Sequence, residues 1–171
     1  ALPGGMAVME SEVIAVKNIL SKESVSKIIP RQSKFVWGAK ALDIPTEVSS
    51  IKMRSLYLVK SDPWLTGGVV ENAIPNFGTA GSENSGQAVV NLSMNAEGAR
   101  IWSRSTGANI GRNVAIILDG KVYMAPVIRD RIPGGQTQIS GLDNIAEAKD
   151  ISNVLQAGSC LLYTSDAADE S

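Results

Sequence analysis

Apolar and polar positions change rhythm along this chain, and the changes mark its elements. Val89, Val90, Leu92 and Met94 form a short apolar run of the kind a buried strand carries. Asn95 follows it, and its side chain can accept from a first-turn N–H, which predicts a helix from Ala96. Glu97 puts negative charge at the positive end of that helix. Ala99, Trp102, Thr106 and Ile110 fall on adjacent turns, and Gly111 can take the left-handed conformation that stops a helix. Val114 to Leu118 is a second apolar run, rich in β-branched residues. Asp119-Gly120 suits a two-residue hairpin turn because both positions tolerate positive φ. Lys121 to Ala125 returns as the partner strand, and Pro126 blunts its pairing. The predicted order is strand, helix, strand, turn, strand: a βαββ unit whose crossover should be right-handed.

The flanking segments add further elements. Ser11 can cap a helix from Glu12 to about Ser21, with Val13, Val16 and Leu20 as one apolar stripe. A short helical turn follows from Glu23 to Ile29, ended by Pro30. Phe35-Val36-Trp37 reads as a strand, Ala41 to Ser50 as a connection, and Met53 to Lys60 as a strand with Leu56 and Leu58 on one face and Tyr57 and Val59 on the other. Asp62 to Gly68 is turn-rich. Val69 to Phe77 stays open between a helical turn at Val69-Val70 and an extended segment around Pro75. Gly78 to Gly86 is a loop at the tip of a hairpin into Gln87; it lacks the Lys and the strand–loop–helix setting of a phosphate loop. Pro133-Gly134-Gly135 is a turn and Thr137 to Ser140 a short strand. Asn144 heads a capping box with Glu147, and Ile145, Ala148, Ile151, Val154 and Leu155 form the apolar face of a last helix that Gly158 ends as its C′ residue. The fold class expected is α+β: an antiparallel or mixed sheet covered by two main helices, the βαββ helix and the C-terminal one, with an extra N-terminal helix. Three segments follow: an N-terminal helix and strand segment (1–50), an α+β domain (51–158) and a tail (159–171).

Length and composition fit this reading. A chain of 171 residues suits one domain, or one plus part of a neighbour, and 44% apolar residues suffices for a core. The apolar runs are too short to cross a membrane as a helix. Ala1 to Gly5 lacks the basic start and apolar stretch of a signal peptide, and the chain does not begin with Met, so a fragment is expected whose anchor or targeting signal lies outside it. Cys160 to Glu170 breaks the preceding pattern and resembles the in-frame translation of a sequencing-library adapter, so the tail is read as non-native. Setting it aside removes the single cysteine, Cys160, and with Asp166, Asp169 and Glu170 gone the net charge moves from −1 to +2. Such near-neutral charge gives no electrostatic case for nucleic acid.

Candidate chemistry is sparse. The chain has no histidine, which excludes the Ser-His, Cys-His and His-metal arrangements of most hydrolases and zinc enzymes. Glu97, Asp119, Asp143 and Glu147 each have a structural reading as helix-start, turn or cap residues. Ser103, Ser105 and Thr106 have no base beside them beyond Arg104, which stays protonated. Arg100, Arg104 and Arg112 read as a solvated basic strip. Tyr57 and Tyr123 are the only tyrosines on predicted strands, and they do not form an RNA-binding motif. No catalytic, cofactor-binding or metal residue is assigned.

Several motifs in fixed order nevertheless point to a family. Leu65-Thr66-Gly67, Met94 to Ala99, Thr106 to Gly111, Ala115 to Pro126, Gly134 to Gly141, and Glu147-Ala148-Lys149 through Leu155 to Gly158 closely resemble the P1 head of SecD proteins, most of all the fused SecDF form, over about Leu56 to Gly158. The preceding segment, with Ile29-Pro30-Arg31 and Phe35-Val36-Trp37, is similar to the longer insert of that form. The resemblance implies a domain on the periplasmic side of the bacterial inner membrane, joined to it only through segments outside this chain. It implies partners in preprotein, in the rest of SecD and SecF and in the SecYEG translocon. It also implies contact with preprotein and conformational change during export driven by the proton gradient, with no enzyme activity, no cofactor and no nucleic acid. It assigns no preprotein-binding residues. Two other readings remain at this point: a stand-alone small α+β domain that binds peptide or nucleic acid, which salt-dependent nucleic-acid retention would favour, and a small hydrolase, which converging acids with perturbed pKa values would favour.

Overall fold

The computed structural model describes residues 5–46, 49–157 and 160–164. They fall into two compact units, the first drawn from 1–63, 112–127 and 163–171, the second from 64–111 and 128–162.

The first unit starts with β1 (Met6–Met9) and a 3-10 turn over Glu10–Glu12, then α1 (Val13–Leu20) and α2 (Glu23–Ser26). Ser11 is not the expected cap: it lies inside the 3-10 turn, and α1 begins with no side-chain cap. Val13 is buried, with Val16 and Leu20 half-buried, so the predicted stripe faces inward. β2 (Ser33–Pro45) and β3 (Ser50–Lys60) pair antiparallel from Ser33↔Lys60 to Pro45↔Ser50. The stretch expected as a connection is therefore the far half of a hairpin. Pro45 is tolerated because it ends the strand, and Thr46 closes the turn, its Oγ1 donating to the Ser49 carbonyl at 2.7 Å. β1 joins the outer edge of β3, Met6 opposite Leu56 and Met9 opposite Met53. β7 (Val114–Leu118) and β8 (Lys121–Met124) form the predicted hairpin, with Asp119 at φ 49° and Gly120 at φ 74°. β8 meets β2 in parallel at Gly38↔Val122.

The register of β2 breaks between Trp37 and Ala41. Arg54 stabilises the break: its Nη1 donates to the carbonyls of Gly38 (3.0 Å) and Ala39 (3.1 Å), while Nε and Nη2 grip the Glu10 carboxylate at 2.8 and 2.7 Å.

The second unit holds the short β4 (Leu65–Thr66) and a three-stranded antiparallel sheet of β5 (Val70–Phe77), β6 (Ala88–Met94) and β9 (Gln136–Ile139), in the order β5-β6-β9. Val69 thus closes a 3-10 turn over Gly67–Val69, as the helical alternative had it, and Val70–Phe77 is extended. The Gly78 loop is the tip of the β5–β6 hairpin, as expected, with the Gly78 N–H donating to the Gln87 carbonyl at 2.9 Å. α3 (Ala96–Ala108) follows β6, and the Asn95 side chain accepts from the Gly98 N–H at 2.8 Å. α3 ends two residues earlier than predicted, which leaves Ile110 exposed and Gly111, at φ 84°, beyond the helix. Gly98 lets the start of α3 close on Val69 and Met94: a Cβ there would lie 2.8 Å from the Val69 Cβ.

The crossover expectation is corrected. β6 pairs with β5 on one edge and β9 on the other, while β7 pairs with β8. With both edges of β6 filled, no position beside it is left for β7, and the two strands belong to different sheets.

α4 (Ile145–Gln156) covers the β5–β6 side of its sheet, burying Ala148, Ile151 and Leu155. The Asn144 side chain accepts from the Glu147 N–H at 2.9 Å, and the Glu147 carboxylate accepts from the N–H of Asp143 at 2.7 Å, one residue before the expected Asn144. The Ser152 hydroxyl and the Gln156 side chain (2.8 Å) both donate to the Ala73 carbonyl, tying α4 to β5. Gly158, expected as the C′ residue, lies outside the described residues, as do residue 159 and residues 165–171 of the tail. Residues 160–164, set aside in the sequence reading, form β10 (Cys160–Thr164), which pairs antiparallel with β4 at Leu161↔Thr66 and Leu162↔Leu65.

Candidate functional site

The residues that carry chemical potential are occupied structurally. The Thr106 hydroxyl donates to the Trp102 carbonyl at 2.8 Å and accepts from the Ile132 N–H at 3.0 Å. The Ser103 hydroxyl accepts from Arg131 Nε at 2.8 Å. Both side chains are buried, and among the described residues neither hydroxyl is hydrogen-bonded to a base. Arg100, Arg104 and Arg112 are exposed, and Tyr57 is buried while Tyr123 is partly exposed. Glu97 sits in the first turn of α3, Asp119 in the hairpin turn, and Asp143 and Glu147 at the start of α4. No group of three metal-capable side chains occurs among the described residues. One ion pair stands out electrostatically. The Arg54 guanidinium beside Glu10 holds that carboxyl below its ordinary range, chiefly through their hydrogen bonds, and the same bonds raise Arg54.

Two surfaces have a shape that can hold a partner. The first is the uncovered face of the β5-β6-β9 sheet. Alternation places Ala73, Val90, Leu92 and Ile139 on the buried side toward α4. The pairings Asn72↔Ser93↔Gln136 and Ile74↔Asn91↔Gln138 put the intervening side chains on the other side, where they line a shallow hollow. There Gln138 Nε2 donates to Asn91 Oδ1 at 3.0 Å, and Asn84 Nδ2 donates to Gln138 Oε1 at 3.1 Å. None of these side chains is ionisable, and Ile74 is 55% exposed among them. The second surface is a groove in the first unit, walled by Lys17, Lys27, Arg31 and Lys34 over Phe35 and Trp37. Lys17 Nζ stands 5.7 Å from the Trp37 ring centre, Lys27 is paired with Glu23 at 2.8 Å, and Lys34 donates to the Tyr163 hydroxyl at 3.1 Å.

Sequence reasoning found neither surface. The amides lie on three strands far apart in the chain, and only the strand register collects them. The usable signal was the run of Asn and Gln at strand positions, since Asn is depleted in strands.

The comparisons with known proteins bear on these surfaces. The family described as "SecDF, P1 head subdomain" matches residues 45–161. This chain belongs to that family. Its SecD relatives include the protein translocase subunit SecD of Rhodothermus marinus, 36% identical over 143 residues, which is 84% of this chain and 22% of that protein. The protein translocase subunit SecDF of Thermus thermophilus is 43% identical over 97 residues, 57% of this chain and 12% of that one. Among solved structures, SecDF in a "Super-membrane-facing form" superposes with a TM-score of 0.53 at 29% identity, covering 94% of this chain and 18% of that chain. The structure of "a membrane component SecDF that enhances protein export" gives 0.50 at 27% identity, covering 83% of this chain and 71% of that one. The P1 head family thus accounts for most of the sequence and for its mixed α+β architecture. The chain spans about a fifth to a third of the length of the first curated SecD relatives. Those relatives are protein translocase subunits by name, and no described helix of this chain is long and apolar enough to cross a membrane.

Proposed function

We propose that this chain is the head of a SecD-type export subunit, placed on the periplasmic side of the bacterial inner membrane, where it contacts preprotein and changes conformation as the proton gradient drives export. The match to the P1 head family over residues 45–161 carries this reading. Its partners are then an extended preprotein, the remainder of SecD and SecF, and the SecYEG translocon. The head works by holding and releasing a chain, with no bond made or broken and no cofactor. Two features support that role: the hydroxyls and acids singled out in the sequence serve the fold, and the open sheet face offers neutral hydrogen-bonding groups that suit a polypeptide of any sequence.

The test is photo-crosslinking. A photoreactive residue is placed at exposed positions within 45–161, one at a time, in the whole export subunit, with a preprotein stalled part-way across the membrane. Adducts between head and preprotein are expected from at least one surface. If every exposed position gives adducts only with other translocase subunits, the head does not touch preprotein and the reading falls.

A further inference from the structure

The β5-β6-β9 sheet is defended on one edge and open on the other. Sheet edges are commonly protected by charge, by Pro or by a bulge, because unpaired main-chain groups recruit further strands. The β5 edge has such protection. It carries Glu71 and Pro75, its register breaks between Val70 and Asn72, and its Ala73 carbonyl is occupied by Ser152 and Gln156. β9, Gln136-Thr137-Gln138-Ile139, has no charge and no Pro, and its pairing with β6 runs unbroken from Ser93↔Gln136 to Val90↔Ile139. In an antiparallel ladder alternate residues turn N–H and C=O away from the partner, so two of its four residues present main-chain groups outward. No strand pairs with that edge among the described residues.

The side chains beside this edge suit one kind of guest. Gln138, Asn91 and Asn84 are joined in a chain of amide hydrogen bonds, and Gln136, Ser93 and Asn72 continue the neutral surface. Asn stands at two strand positions of this face, 72 and 91, both exposed and against its propensity. Local choices that go against the fold's preference tend to mark function. Side-chain amides both donate and accept, as peptide groups do, and discriminate little among the side chains of a guest. The face has no cation for a phosphate and no aromatic ring for a sugar or a base.

We propose that an extended polypeptide adds to this sheet as a fourth strand along β9, held by main-chain hydrogen bonds and steadied by the amides of Gln136, Gln138 and Asn91. This rests on the preprotein-contacting role above and names the surface that performs it. Four residues give few main-chain bonds, so the complex is weak and exchanges quickly, as a chain in transit requires. Because the edge is uncharged, capture depends little on salt.

The experiment is an NMR titration of the full chain, labelled with 15N, using a capped, uncharged peptide of about ten residues alternating Thr and Val, a length that outreaches the edge strand. Shifts are expected at residues 136–139 and at 90–93. The same peptide N-methylated at alternate residues loses its main-chain donors and should bind about tenfold more weakly or worse. Gln138→Lys, which adds the edge charge that β9 lacks, should weaken binding about threefold with an unchanged thermal midpoint. Equal binding by the N-methylated peptide would overturn strand addition. Shifts confined to another surface, such as the groove at Phe35 and Trp37, would overturn the placement while leaving preprotein contact standing. No shifts at millimolar peptide would sink the inference outright, whatever the crosslinking shows. Broadening of the β9 amides on concentrating the protein alone would assign the edge to a second copy.

Discussion

Gly135→Ala tests the packing of α3 most directly. Gly135 ends the 3-10 turn Pro133–Gly135 at φ 66°, a left-handed conformation that disfavours a Cβ by about 1–2 kcal/mol. The space is also closed: a Cβ there would lie 2.6 Å from the Ala99 Cβ, 3.0 Å from the Ala99 Cα and 3.3 Å from the Met94 Cβ. Overpacking of this kind costs about 1–3 kcal/mol, so the substitution should cost about 2–5 kcal/mol in all. Ala99→Gly removes the nearest atom and alone should cost about 1 kcal/mol, the penalty of Gly inside a helix. In the double variant the clash with the Ala99 side chain is gone, while the φ penalty and the crowding against the main chain of residue 99 remain, so rescue is partial. The cycle should therefore be non-additive by about 1–2 kcal/mol, less than the whole overpacking cost, the double variant being more stable than the two singles predict. Urea denaturation of the four proteins, followed by far-UV circular dichroism, measures it. Additivity within about 0.5 kcal/mol would refute the claim that this turn is clamped on Ala99.

Other expectations are simpler. Trp102 is 4% exposed, so Trp102→Ala should cost about 3–5 kcal/mol; Trp102→Phe also removes a buried Nε1–H that has no partner among the described residues, and should cost about 1 kcal/mol or less. Chemical denaturation distinguishes the two, and equal losses would contradict the buried orphan donor. Asn95→Ala and Asn144→Ala each remove a cap bond and should cost about 1 kcal/mol, seen as faster amide exchange in the first turns of α3 and α4. Glu10 has its pKa lowered in the folded protein by Arg54, so its contribution is complete above the ordinary carboxylate pKa and is lost as pH falls through the lowered value. Stability of Glu10→Gln should accordingly vary less with pH in the acid range than that of the wild type, and identical profiles would show that the pair does not form in solution.

What the sequence made legible was local. Asn95, Asn144 and Asp119-Gly120 act through bonds and φ angles set within a few residues, so their chemistry can be read from neighbours alone. Pairing was not legible. The α+β class followed from element types, yet nothing in Val89–Met94 or Val114–Leu118 says that β9 takes the edge of β6 beside which β7 was expected. Asp43 and Pro45 argue against a strand, and Ala41–Pro45 becomes one only because β3 lies alongside to pair with it. In the same way Glu147 was read correctly as a capping partner, but which N–H it would bond depended on backbone geometry that the motif does not encode.

The two candidate surfaces follow different physics, and under the proposed preprotein-contacting role that difference favours β9. The groove beside Trp37 gathers Lys17, Lys27, Arg31 and Lys34, so it would select acidic segments and hold them in a salt-dependent way. A preprotein presents every kind of side chain in turn, and a charged site would grip some stretches and repel others. Main-chain pairing along an uncharged edge treats each residue alike, and a four-residue strand keeps each engagement brief. Protecting that edge with Lys or Pro would be the ordinary safeguard against aggregation. Its absence on β9, beside a β5 edge that keeps its own protection, makes sense if the exposed main chain is the part that works.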